Sequence, residues 1–178
     1  MDYPLRFFGV LTICYLHPKV EAKRDFKFEI LDFKINVTDA ELFSDSIYSS
    51  YDRQQLTVEF SMVQTITEWS GVFNVDILPV GGPITHILKL NGNICDCLRS
   101  ACRNNLMVAL FKEVFRSSNF PQKCPLLAKN KYYLRNYTVR ADDYPAFLPQ
   151  VMWQVNIDMM FNKKMAMTWF LKGRTGKF

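Results

Sequence analysis

A mainly β sandwich carrying one helix is the fold this chain predicts. Stretches of alternating apolar and polar residues recur from Phe26 to Leu171, with turn residues between them. One segment alone, from about Leu98 to Arg116, has helical periodicity. Four of the five cysteines, Cys95, Cys97, Cys102 and Cys124, bracket that segment. About eight half-buried strands close naturally as two facing sheets or a cup.

Residues 1–22 precede this pattern and read as a secretory signal peptide. Arg6 supplies the positive start, Phe7 to Leu16 the apolar centre, and Val20-Glu21-Ala22 a small-residue cleavage site. The apolar run is about ten residues, against the roughly 20 that a spanning helix needs, so no transmembrane segment is expected. Cleavage removes Cys14 and His17, leaves an even four cysteines, and makes residues 23–178 a single secreted, extracellular domain. The net charge of +5 is spread through the strands, which does not indicate nucleic acid. Fifteen Phe, eight Tyr and eight Met serve to fill a core, and the same residues suit an adaptable apolar pocket.

The first strand alternates through Phe26, Phe28 and Ile30, then resumes in opposite phase at Phe33, Ile35 and Val37. Such a slip implies a bulge or a short break. A short strand is expected around Ile47, Tyr48 and Tyr51, and a clear one at Leu56, Val58, Phe60 and Met62. Ser70-Gly71 reads as a turn into Phe73, Val75 and Ile77, and Pro79 to Pro83 as a connection. Ile84 to Leu90 makes a strand whose end is marked by Asn91-Gly92-Asn93. In the helix, Met107, Leu110, Phe111, Val114 and Phe115 form the apolar stripe, with Lys112, Glu113 and Arg116 opposite. Ser117-Ser118-Asn119 and Pro121 stop it.

Beyond Cys124, Tyr133, Arg135, Tyr137 and Val139 share one face of a strand, with Tyr132 and Leu134 on the other. Ala141 to Pro149 is a proline-punctuated loop. Val151, Trp153, Val155, Ile157, Met159 and Phe161 give the longest alternation. Asn162-Lys163-Lys164 turns it into Met165, Met167, Trp169 and Leu171, and Gly173 opens a frayed tail. Asn36-Val37-Thr38 and Asn136-Tyr137-Thr138 are glycosylation sequons at Asn36 and Asn136.

The four bracketing cysteines read as two structural disulfides in an oxidising compartment, with three connectivities open. Cys97–Cys124 would close a loop of about 28 residues, worth about 3–4 kcal/mol in chain entropy, and would leave Cys95–Cys102. The swapped pairs, Cys95–Cys124 and Cys97–Cys102, are nearly as easy sterically. Cys95-x-Cys97 lacks zinc-knuckle spacing, so no metal is expected. No catalytic residue is expected either. His86 is the one histidine of the cleaved chain, sits in an alternating strand, and has no nucleophile elbow to serve. Asp142-Asp143 reads as a turn and Gly81-Gly82-Pro83 as a connection rather than a phosphate cradle, so no cofactor is implied.

In chain order, the signal peptide, aromatic strands, Asp96-Cys97, helix, Ser118-Asn119, Cys124-Pro125, aromatic strand, Pro145 with Phe147-Leu148-Pro149 and closing strand pair resemble an insect family. That family comprises secreted proteins of unknown function, includes the CheB chemosensory proteins, and is related to the ML-domain lipid-recognition superfamily that contains the ganglioside activator. The resemblance spans nearly the whole cleaved chain. The chain departs from the family pattern where many relatives carry a cysteine near the end of the first strand; here Asn36 and Val37 stand there. The resemblance implies an immunoglobulin-like sandwich whose sheets splay to hold a lipid or other long apolar molecule. It also implies a carrier or co-receptor role in gustatory perception of pheromones, with a membrane receptor as partner. A secreted interaction module with a solid core is the competing expectation. For the hollow case the inward candidates are Phe28, Ile30, Phe60, Met62, Phe73, Val75, Trp153, Val155, Ile157, Met159 and Trp169.

Overall fold

The computed structural model describes residues 26–79, 82–99, 105–144 and 150–177. The expected signal peptide, Cys102 and the Phe147-Leu148-Pro149 stretch lie outside them, as do the side chains of Met107 and Leu110. Eight strands are described: β1 (Lys27–Val37), β2 (Tyr48–Tyr51), β3 (Leu56–Ser61), β4 (Trp69–Leu78), β5 (Thr85–Asn93), β6 (Lys131–Tyr137), β7 (Met152–Phe161) and β8 (Lys164–Gly176). They form two antiparallel sheets, ordered β1-β8-β7-β4-β5 and β2-β3-β6. Helices α1 (Ile94–Leu98) and α2 (Asn105–Ser117) join β5 to β6. The fold is thus a β-sandwich with one long helix, as the alternation predicts.

Local chemistry explains several joints. The phase slip in β1 is a bulge at Leu31, between the pairs Ile30–Gly173 and Asp32–Lys172. The β7–β8 hairpin turns through Asn162 and Lys163, both with positive φ (48° and 68°), as a two-residue hairpin of matching twist requires. Asn162 then uses its side-chain oxygen to accept the N–H groups of Thr67 and Glu68 at 3.0 and 3.1 Å, which ties the hairpin to the entry of β4. Glu29 is buried under Arg53 and Arg174, and the Ile30 N–H donates to the Arg53 carbonyl. The β2–β3 turn is thereby clamped onto the larger sheet.

Four expectations need correction. Ser70-Gly71 is no turn but part of β4, and Asn91-Gly92-Asn93 continues β5 opposite it, with Gly71 facing Gly92. A Cβ on Gly71 would come within 3.2 Å of both Ile94 and Phe73, so the glycine lets α1 approach the sheet. Gly173 begins no tail. It lies inside β8, paired with Ile30 and Trp153, and the Trp153 ring occupies the space a side chain would need. The alternation of β6 breaks at Asn136 (φ 53°), where Arg135 and Asn136 together face Thr57; Tyr137 turns inward with Tyr132 and Leu134. Finally, the single helix expected from Leu98 is two helices, and Glu113 is buried instead of solvent-facing. Arg116, one turn on at 3.2 Å, supplies the charge that lets it be covered.

Of the three cysteine connectivities, the structure has Cys95 joined to Cys124, 29 residues apart. The arrangement with Cys97 bound to Cys124 is therefore excluded, and Cys97 is disulfide-bonded as well. The bridge anchors α1 to the segment that leads into β6. Asn119 completes this attachment: its side chain accepts the Tyr133 N–H at 2.7 Å and donates to the Lys131 carbonyl at 2.8 Å.

Candidate ligand-binding cavity

The sandwich is packed at one end and hollow at the other. At the packed end, Phe43, Phe60, Trp69, Phe120, Tyr132 and Phe161 form a connected block with ring centroids 5.4 to 6.4 Å apart. Met62, Ile66 and Leu126 beside it have no accessible surface. Large side chains meeting from both sheets leave no room there.

Six residues along the same strands, from Trp69 to Val75, the side chains shrink. Val75 and Ile77 of β4 and Val155 and Ile157 of β7 point inward from neighbouring, fully paired strands, yet each is only half-buried. The surface they keep faces a cavity of about 450 Å³. Its wall draws on both sheets and on the helix: Leu88 and Leu90 from β5, Leu134 and Tyr137 from β6, Phe111 and Val114 from α2. Trp69, Phe60 and Met159 form its floor. At the opposite end the lining is Phe28, Tyr144, Val151 and Trp153, with Phe28 and Tyr144 in ring contact at 5.0 Å.

Of the expected lining residues, only Ile30 and Met62 are off this wall. Ile30 is 3% exposed and Met62 fully enclosed, both consumed by packing in the core. The others line it. Sequence reading did not nominate Ile77, Leu88, Leu90, Leu134 or Tyr137. Ile77 continues the alternation of Phe73 and Val75 and was findable; Tyr137 was hidden by the bulge at Asn136. Phe111 and Val114, from the apolar stripe of α2, line the cavity.

The wall is apolar in detail. Among the described residues lining it there is no Asp, Glu, Lys, Arg or His. The Thr175 hydroxyl is engaged with the backbone of Val151, at 3.2 Å from its nitrogen and 3.4 Å from its oxygen. The indole nitrogens of Trp69 and Trp153 have no acceptor, and surrounding protein atoms cover both, so neither presents a donor to the cavity.

Titratable groups sit on the outer faces. His86 Nδ1 lies 2.8 Å from Asp76 Oδ1, and the Gln154 amide donates to the other carboxylate oxygen at 2.9 Å. The Gln154 hydrogen bond, then that of His86, holds the Asp76 carboxyl below the usual carboxylate range. On the other sheet Arg135, then Lys131, does the same to Glu59. Both sequon asparagines, Asn36 and Asn136, are exposed. Among the described residues no helix is long and apolar enough to cross a membrane, and no cluster of His, Cys, Asp and Glu could hold a metal ion.

Residues 78–155 match the family model described as Protein of unknown function (DUF1091). The matched span runs from the end of β4 through both helices and β6 into β7. It therefore contains Cys95, Cys124 and the helical side of the cavity. No curated protein matches the chain.

Proposed function

We propose that this protein is an exported, non-enzymatic carrier that encloses one long apolar molecule between its sheets. The observation that carries the reading is the apolar cavity of about 450 Å³ where small β-branched side chains face each other. Burying a chain there gains about 0.8 kcal/mol per methylene, without the cost of desolvating polar wall groups. The disulfide and the two exposed sequons support export through an oxidising compartment. A relation to the lipid-recognition superfamily fits the same architecture, and the chemosensory setting implied by the family resemblance belongs to this proposal.

Native mass spectrometry of the secreted protein tests it. The expected result is co-purifying apolar mass, lost on organic extraction and restored by adding a long-chain lipid. A protein that leaves the cell empty and takes up no fluorescent apolar probe overturns the carrier. It would leave the solid-core interaction module in its place.

A further inference from the structure

The cavity's chemistry narrows the guest further than its volume does. A cavity of about 450 Å³ lies within the range of ordinary small-molecule sites, enough for a single aliphatic chain. An ionised headgroup inside such a wall must give up its water, and it recovers that loss only from a nearby opposite charge or several hydrogen bonds.

Among the described residues lining the cavity no charged side chain offers the first, and the Thr175 hydroxyl is already engaged with Val151. The strands β1, β4, β7 and β8 bring Phe28, Ile77, Trp153 and Thr175 to the end of the cavity away from Trp69, while alternation sends Asp76, Gln154 and Arg174 to the outer face. There the charges are committed to one another: Arg174 to Glu29, and Asp76 to His86 and Gln154. In the turn beyond β6, Arg140 is paired with Asp142 at 3.5 Å. On α2, Glu113 is held by Arg116.

We propose that the cavity selects an uncharged, single-chain aliphatic molecule, such as a long-chain alcohol or ester, and rejects the ionised fatty acid of equal length. This rests on the carrier reading and adds the ligand's charge state to it.

The test is displacement of the neutral fluorophore N-phenylnaphthylamine from the full chain by dodecanol and by dodecanoate. The two ligands share one chain length and differ only in the headgroup. At a pH near 8, well above the carboxylic acid's own pKa of about 4, dodecanol should compete at least tenfold better. The gap should narrow as pH falls and the acid becomes neutral, while the dodecanol curve stays put. Val151→Lys, which sets a cation in the wall, should improve dodecanoate binding at the higher pH. Equal competition by both ligands at that pH overturns this inference and leaves the carrier intact. Failure of the protein to take up the fluorophore or dodecanol at all overturns both.

Discussion

The two ends of the β4–β7 strand pair have the same backbone and opposite interiors. Trp69 faces Phe161 on one rung, and the side chains above them close the space to the last ångström. Val75 faces Val155 on another, and the space stays open. Strand pairing, twist and inward orientation are shared, so the sheets alone do not make a cavity. Side-chain volume does. The packed end, with its aromatic block and the nearby Cys95–Cys124 bridge, holds the sheets at a distance that the smaller side chains of the other end cannot span.

The sharpest way to break this contrast is one substitution made at both ends. Ile66→Ala lies in the solid part, where Ile66 is fully enclosed, and should cost about 2–5 kcal/mol of unfolding free energy. Ile157→Ala enlarges an existing space from a half-buried side chain, so its cost should be about 1 kcal/mol, roughly half the transfer free energy of the three carbons removed. Denaturant unfolding of the two variants checks it; equal losses would mean the hollow end is not hollow in solution. Next in size, Cys124→Ser releases α1 from the segment before β6 and should cost about 2–4 kcal/mol. Probe binding should weaken with it, because α2 contributes Phe111 and Val114 to the wall. Filling the space acts in the other direction. Val155→Phe should leave the unfolding midpoint unchanged or raise it while abolishing fluorophore uptake. Val58→Phe, at a position with no accessible surface, should cost about 1–3 kcal/mol by overpacking.

The contrast also marks how far the sequence could be read. Period-two alternation gave the strands with a buried face and the slip at Leu31, because a buried face constrains every second residue, while the fully exposed β2 shows no such pattern. It misread glycine. Gly71 and Gly173 looked like punctuation, yet each admits a bulky neighbour, Ile94 in one case and Trp153 in the other, and that neighbour is remote in sequence. It misread Tyr137 because a single residue at positive φ, Asn136, reverses the face of everything after it. The cavity residues were nominated as a set, since alternation shows which side chains face in. Why Met62 and Ile30 are sealed while Val155 and Ile157 are not depends on what stands across the gap. Pairing partners on the opposite sheet are not written in local pattern.

The smallest expected effect separates the charged outer faces from the neutral interior. Asp76 and Glu59 have folded pKa values below their ordinary ones, so each ion is favoured by the native state. Their contribution is therefore complete above the unfolded carboxylate pKa of about 4 and is lost as pH falls through the lower folded value. Asp76→Asn should make the protein slightly less stable than the parent at neutral pH, with the difference closing in acid. Among the described residues the cavity wall offers no group to titrate over that range. Uptake of the neutral fluorophore should therefore stay level while the protein remains folded, in parent and variant alike. A binding curve that followed the acid transition of Asp76 would place charge inside the space, and the division between a polar shell and an uncharged interior would fail.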